Sequence, residues 1–72
     1  MHVAKQYKGY RLCARHTNHG NEYLVQVKGL IWHTVKVFNS DDDQYAYNCA
    51  EELFELLIDD IKPQPIKSRV ND

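Results

Sequence analysis

The chain has 72 residues with 10 acidic and 9 basic side chains, which gives a formal net charge of −1. This length allows one domain with one small core. Two cysteines are too few for a disulfide framework, and the first residues lack the apolar run of a secretion signal. No stretch approaches the roughly 20 apolar residues that a membrane-spanning helix needs. We therefore expect a cytoplasmic protein with no membrane partner.

The near-neutral total hides a strong separation of charge along the sequence. Residues 1–40 contain six Lys or Arg side chains and a single acid, Glu22, whereas residues 41–60 contain eight acids and no Lys or Arg. Such a separation predicts two surfaces of opposite sign, which bears on the partners of the protein.

The first part of the chain predicts two antiparallel strands. Residues 1–6 are expected to be a flexible lead-in, and the alternation from Tyr7 to His16 is typical of a strand with one solvated face. Turn-forming residues at 17–21 connect it to a second strand over residues 22–28. Pairing Leu12 with Val27 would place the apolar side chains of both strands on one face.

A third strand is predicted from Ile31 to Phe38, and its register depends on the preceding loop. A two-residue loop would turn Trp32, Thr34, Lys36 and Phe38 toward the core, whereas a three-residue loop would turn His33, Val35 and Val37 there. We favour the three-residue loop because a buried Lys36 would need a charge partner. Phe38 can still twist inward at the end of the strand.

The segment from Ser40 to Ile61 has the clearest pattern in the chain, that of an amphipathic helix. Its apolar residues recur every three or four positions: Ala46, Cys49, Ala50, Leu53, Phe54, Leu57 and Ile61. Ser40 with Asp43 resembles a capping box at the start of the helix. Pro63 and Pro65 lie beyond its end, and residues 62–72 are expected to be a flexible tail.

Together these elements predict an α+β domain over residues 7–61. Its three-stranded antiparallel sheet, in β-β-β-α order, would be packed on one face by the C-terminal helix, because a thin sheet needs such a cover. The other face of the sheet would remain open to solvent.

The open sheet face is our leading candidate site, with nucleic acid as the expected ligand. Four cations would surround one aromatic ring on it, and guanidinium and ammonium groups pair with phosphates while an indole can stack on a base. The residues are Arg11, Arg15, Lys28, Trp32 and Lys36. The alternative interpretation is an ordinary solvated face whose cations keep strand edges from pairing with other chains.

The order of elements resembles the small DNA-binding domains found at the start of tyrosine integrases and in plant ethylene-response proteins. The segment YKGYR at residues 7–11, followed by spaced Gly, Phe, Ala and Leu residues, also resembles small phage and mobile-element proteins. The first resemblance implies a basic sheet face lying in the major groove of DNA, but it transfers no site residues.

The acidic face of the helix supports a second hypothesis, a regulator or inhibitor of phage type that binds a basic protein. Its candidate contact residues are Tyr45, Tyr47, Glu51, Glu52 and Glu55, since aromatic side chains are enriched at binding hot spots. The alternatives are a solvated helix back and tyrosines at the rim of the core. The molecule itself is expected to be a monomer or a weak homodimer.

Metal binding and catalysis are not expected. Cys13, His16, His19 and His33 lack the paired spacing of a zinc site, so we predict no metal and no cofactor. A pair formed by Cys13 and His16 or His33 could activate a thiolate only with a pocket and an orienting third group. One thin sheet with one helix offers no deep cleft, so we predict a binding protein rather than an enzyme.

Overall fold

Four strands and one helix make up the computed structural model, which describes residues 1–61 of the chain. They are β1 (His2–Tyr7), β2 (Tyr10–Thr17), β3 (Gly20–Lys28), β4 (Trp32–Phe38) and α1 (Asp43–Asp59). The strands form one antiparallel sheet in the order β1-β2-β3-β4. The predicted α+β class is confirmed, whereas the predicted number of three strands is wrong.

The additional strand, β1, occupies the segment predicted to be a flexible lead-in. It pairs with β2 along its length, and the register shifts between Val3 and Lys5. This irregularity breaks the period-two alternation by which an edge strand is recognised in a sequence. The predicted tail at residues 62–72 lies outside the described residues.

The turn between β2 and β3 is centred one residue earlier than the predicted pairing implies. Thr17 pairs with Gly20, the Thr17 hydroxyl donates to the Gly20 carbonyl at 2.8 Å, and Gly20 has a φ of 119°, which favours glycine. Leu12 therefore lies opposite Val25, and the predicted pairing with Val27 is wrong by two residues. A shift of two keeps every side chain on its predicted face.

Strand β4 changes face partway along because it contains a bulge. Trp32 pairs with Lys28, so the loop has the three residues that we favoured, and His33 lies on the helix side opposite Val27. The register then shifts at Val35, and Lys36 pairs with Val25 on the helix side. The predicted positions of Lys36 on the open face and of Val37 on the helix side are therefore wrong, because one inserted residue inverts the alternation that follows it.

The core lies between the helix and one face of the sheet. Its buried members are Leu12, Tyr23, Val25, Ala46, Ala50, Phe54 and Ile58, with Phe38 packed against them as the sequence suggested. The four buried helix residues are spaced by four, which is the inner stripe of a helix on a sheet. Ile61, predicted to belong to this stripe, follows the end of the helix and is 42% exposed.

The N-cap of the helix lies two residues later than predicted, at Asp42 instead of Ser40. Asp42 is the N-cap and its carboxylate accepts a bond from the backbone N–H of Tyr45 at 3.2 Å, while the Ser40 hydroxyl accepts from the N–H of Asp42. Asp43 accepts from the Tyr23 hydroxyl at 2.8 Å. At the β1 edge of the sheet, Lys5 bonds to Glu51 and, at 3.3 Å, to Glu55. The helix is thus attached by polar contacts to β3 and to β1.

Candidate functional site

The sheet face turned away from α1, called the open face below, is organised in rows that run across the strands. Successive cross-strand partners form an apolar row, which consists of Val3, Cys13, Leu24 and Val37. The neighbouring polar row consists of Gln6, Arg11, Gln26 and Thr34. Lys28 and Trp32 form a pair beyond the polar row.

The centre of the open face is buried although no described secondary-structure element packs on it. Cys13 is 0%, Leu24 3% and Gln26 6% exposed, whereas Val3 and Val37 at the two edges are each 40% exposed. Among the described residues, the Arg11 side chain contacts this centre through Gln26.

Gln26 is the hydrogen-bonding centre of the open face. Its amide oxygen accepts from the Arg11 Nε at 2.7 Å and lies 3.6 Å from the Cys13 thiol, and its amide nitrogen donates to the Thr34 hydroxyl at 3.1 Å. A buried amide whose hydrogen-bonding groups are satisfied stabilises one arrangement of its neighbours. Gln26 thereby fixes the position of the Arg11 side chain.

Arg11 is also stacked on an aromatic ring. Its guanidinium carbon lies 4.2 Å from the centroid of the Trp32 ring, and the Lys28 ammonium lies 5.8 Å from the same centroid. We call these three residues the Arg11–Trp32 cluster. Within residues 1–61 no hydrogen-bond acceptor engages the terminal amino groups of Arg11. The guanidinium of this half-buried residue is thus held in place by Gln26 and Trp32.

A third cation lies on the neighbouring turn. The backbone N–H of Lys28 donates to the carbonyl of Gly9 at 2.8 Å, which holds the turn between β1 and β2 beside the end of β3. Lys8 is exposed on this turn and has a φ of 52°. The sequence pattern did not single out Lys8, because its position beside Lys28 depends on the pairing of β1.

Arg15 and Lys36 do not belong to the cluster. Arg15 lies on the open face, but two of its nitrogens bind the Glu22 carboxylate at 2.6 and 3.1 Å. This contact holds the pKa of Glu22 below its usual value, so the pair is ionised and nearly neutral as a unit. Lys36 is on the opposite face with its ammonium 5.7 Å from the Phe38 ring centroid. Of the five predicted residues, the structure brings three together.

The residues of the second hypothesis are also divided between two surroundings. Tyr45 is 62% exposed on the outer side of the helix, and Glu52 is exposed as well. Tyr47 is half-buried and packs edge-on against Tyr23, with ring centroids 5.3 Å apart. Glu51 and Glu55 bind Lys5, and the bond to Glu51 is the main cause of a raised Lys5 pKa. Leu56, which is 63% exposed on the outer side of the helix, was not among the predicted contact residues.

The cysteines and histidines that were considered for catalysis are kept apart by the sheet. Cys13 lies on the open face, whereas His33, through its pairing with Val27, lies on the helix side. Burial raises the pKa of the Cys13 thiol, although Arg11 partly opposes this effect. Both cysteines are free thiols. Within residues 1–61 no group of three His, Cys, Asp or Glu side chains is arranged to hold a metal ion.

A shallow polar groove of about 330 Å³ lies at the opposite end of the sheet, between the β2–β3 turn and the segment before α1. It is lined by Thr17, His19, Gly20, Asn21, Glu22, Asn39, Ser40 and Asp41. Its polar groups are largely engaged in local bonds, such as those of Thr17 to Gly20 and of Asn21 to Asp43. The groove therefore adds no obvious recognition site.

Comparison of the chain with protein-family models, with curated proteins and with solved structures yields no match. The helix of the described region is too short and too polar to cross a lipid bilayer.

Proposed function

We propose that this protein is a small non-catalytic binding module that binds nucleic acid through the open face. The Arg11–Trp32 cluster forms the centre of the binding surface, and Lys8 extends it at the end of the sheet. The supporting observation is the guanidinium of Arg11: its carbon lies 4.2 Å from the Trp32 ring centroid, its Nε is bonded to Gln26, and no acceptor within residues 1–61 engages its terminal amino groups.

A guanidinium that is held in place, with terminal amino groups that no described acceptor engages, is suited to binding a group that has two acceptor atoms. Its terminal amino groups can bind two phosphate oxygens, or the two acceptors of a guanine in the major groove. Because Gln26 and Trp32 already restrict the side chain, binding costs less conformational entropy than it would for a free arginine. Lys28 and Lys8 add phosphate contacts whose strength depends on salt.

The test is a binding measurement with fluorescent single-stranded and duplex DNA at low and moderate salt. Arg11→Lys keeps the positive charge but removes the planar fork, so we expect about a tenfold loss of affinity or more. The matched control is Arg15→Lys, whose parent side chain is already bound to Glu22. This control should change affinity little.

Two results would contradict the proposal. One is the absence of binding to either form of DNA at micromolar protein and low salt. The other is equal loss of affinity in the Arg11 and Arg15 variants, because the Arg11–Trp32 cluster would then have no special role. Circular dichroism of each variant shows whether the fold is retained.

A second candidate function, protein binding through the helix, is favoured by a separate observation. Tyr45 and Leu56 are both more than 60% exposed and lie on the outer side of α1 with Glu52 near them. An exposed aromatic and aliphatic pair within an acidic surface would suit a basic protein partner. If this is the binding surface, Tyr45→Ser with Leu56→Ser should abolish capture of that partner. Unchanged capture would contradict this candidate.

A further inference from the structure

The loop between β3 and β4 exposes two large aliphatic side chains. Leu30 is 102% and Ile31 67% exposed, which makes Leu30 the most exposed of the large apolar residues in the described part of the chain. Neither side chain belongs to the core. The stability of the fold therefore gives no reason for two aliphatic residues at these positions.

The loop is held in a defined conformation. The backbone N–H of Gly29 donates to the carbonyl of Ile31 at 2.8 Å and closes the turn. A Cβ atom on Gly29 would lie 3.1 Å from the His33 ring, so the loop passes close to this side chain. A closed loop presents Leu30 and Ile31 at the tip of the hairpin without a large loss of conformational freedom on binding.

The surroundings of the tip are cationic. Lys28 directly precedes the loop, and the bond from its backbone N–H to Gly9 brings the turn with Lys8 alongside. Arg11 pairs with Gln26 in the polar row, which is next to the pair formed by Lys28 and Trp32. The sheet segments 7–12 and 27–33 contain no Asp or Glu. An apolar tip within a cationic rim fits a partner that combines a polyanionic surface with an apolar slot.

We propose that the tip acts as a wedge in duplex DNA: Leu30, with Ile31 beside it, enters between two base pairs from the minor groove. This inference rests on the proposed function and names its ligand. The minor groove is about 6 Å wide, too narrow for a sheet but wide enough for the side chains at a hairpin tip. Aliphatic side chains inserted in this way unstack one base step and kink the duplex. Lys8, Lys28 and Arg11 bind the phosphates beside the opened step.

The experiment measures bending and affinity together. A duplex of about 20 base pairs with a flexible TA step and a fluorophore at each end reports the end-to-end distance by energy transfer. The wild-type protein should shorten this distance, and it should bind a duplex that contains a one-base bulge more tightly, because that site is already unstacked. Leu30→Ser with Ile31→Ser should abolish the bend and weaken binding by about tenfold.

Ile61→Ser is the matched control, since it removes an aliphatic side chain of 42% exposure that lies beyond the end of the helix. It should leave both bend and affinity unchanged. Binding without bending, at an affinity that the double variant retains, overturns the wedge but leaves the proposed function intact. Failure of the wild-type protein to bind any DNA overturns both. Binding to anionic vesicles that the double variant loses, with its DNA binding unchanged, assigns the tip to a lipid surface and also overturns the wedge.

Discussion

At the residue scale, two side chains carry interactions whose strength depends on pH. The first is Tyr23, whose hydroxyl donates to both oxygens of Asp43 at 2.8 and 2.9 Å and attaches the first turn of the helix to β3. Tyr23→Phe keeps the ring and removes the bond, so we expect a loss of about 1–2 kcal/mol in the free energy of unfolding at neutral pH. Urea titration measures this value.

Tyr47→Phe is the control for Tyr23→Phe, because the Tyr47 ring makes the edge-on contact and its hydroxyl makes no hydrogen bond within residues 1–61. Burial and the Asp43 carboxylate raise the pKa of Tyr23. The protonated phenol is thus favoured in the folded state. Its contribution is complete below the unfolded pKa of about 10 and is lost as the pH rises through the folded value. A destabilisation by Tyr23→Phe that is equal at neutral and strongly alkaline pH would contradict this prediction.

The second is Glu22, whose carboxylate binds Arg15. The bonds to Arg15 lower the pKa of Glu22 from its ordinary value, so the ionised form is favoured in the folded state. The pair contributes stability above the unfolded pKa of about 4.3 and loses it as the pH falls through the folded value. Carboxyl NMR titration should give a low pKa in the wild-type protein and a higher one in Arg15→Gln. An unchanged value would show that the contact is not maintained in solution.

At the scale of elements, the helix is the cover without which the sheet has no core. Phe54 is 2% exposed at the centre of its inner stripe, and Leu56, two residues on, is 63% exposed. Phe54→Ala should cost about 3–5 kcal/mol, which approaches the whole stability of a domain of this size. Leu56→Ala should change stability by no more than about 0.5 kcal/mol.

Thermal unfolding followed by circular dichroism compares the Phe54 and Leu56 variants directly. A cooperative transition in Phe54→Ala close to that of the wild-type protein would show that the helix is not required to cover the sheet. The same comparison explains why the helix could be predicted: its buried and exposed positions follow the 3.6-residue period with little interruption.

The strands were less predictable than the helix because their alternation is interrupted twice. The bulge between Val3 and Lys5 concealed β1, and the bulge at Val35 moved Lys36 to the helix side. The residue types do not reveal an inserted residue, so the period-two alternation assigns the side chains after it to the wrong face of the sheet. The candidate site was predictable only in part for the same reason. The proximity of Arg11, Lys28 and Trp32 follows from the regular strands. The pairing of Arg15 with Glu22 and the position of Lys8 depend on the strand register, which the sequence does not show.

At the scale of the whole molecule, the expected separation of charge between two outer surfaces is present but reduced. Acids occupy the outer side of the helix, and cations occupy one end of the open face. Each side also carries a charge of the opposite sign. Lys5 binds Glu51 and Glu55 on the helix side, and Glu22 binds Arg15 on the open face. Opposite charges in this chain of net charge −1 are therefore partly paired within each surface and partly separated between the two surfaces.

This arrangement predicts how distant charges act on binding. Glu52→Lys changes the net charge by two on the outer side of the helix, whereas Lys28→Gln changes it by one within the Arg11–Trp32 cluster. Helix and sheet separate Glu52 from the open face by about 10 Å or more, which exceeds the screening length of about 8 Å at physiological salt. If DNA binds the open face, Glu52→Lys should strengthen binding only at low salt, and Lys28→Gln should weaken it at every salt concentration.

The measurement is DNA affinity for both variants as a function of salt. Binding through Lys8, Arg11 and Lys28 should give a slope of about −3 in log affinity against log salt for the wild-type protein, and Lys28→Gln should reduce its magnitude by about one. Glu52→Lys should leave the slope close to that of the wild-type protein at physiological salt. If it instead strengthens binding more than Lys28→Gln weakens it under those conditions, DNA lies against the helix, and the open face is not its binding surface.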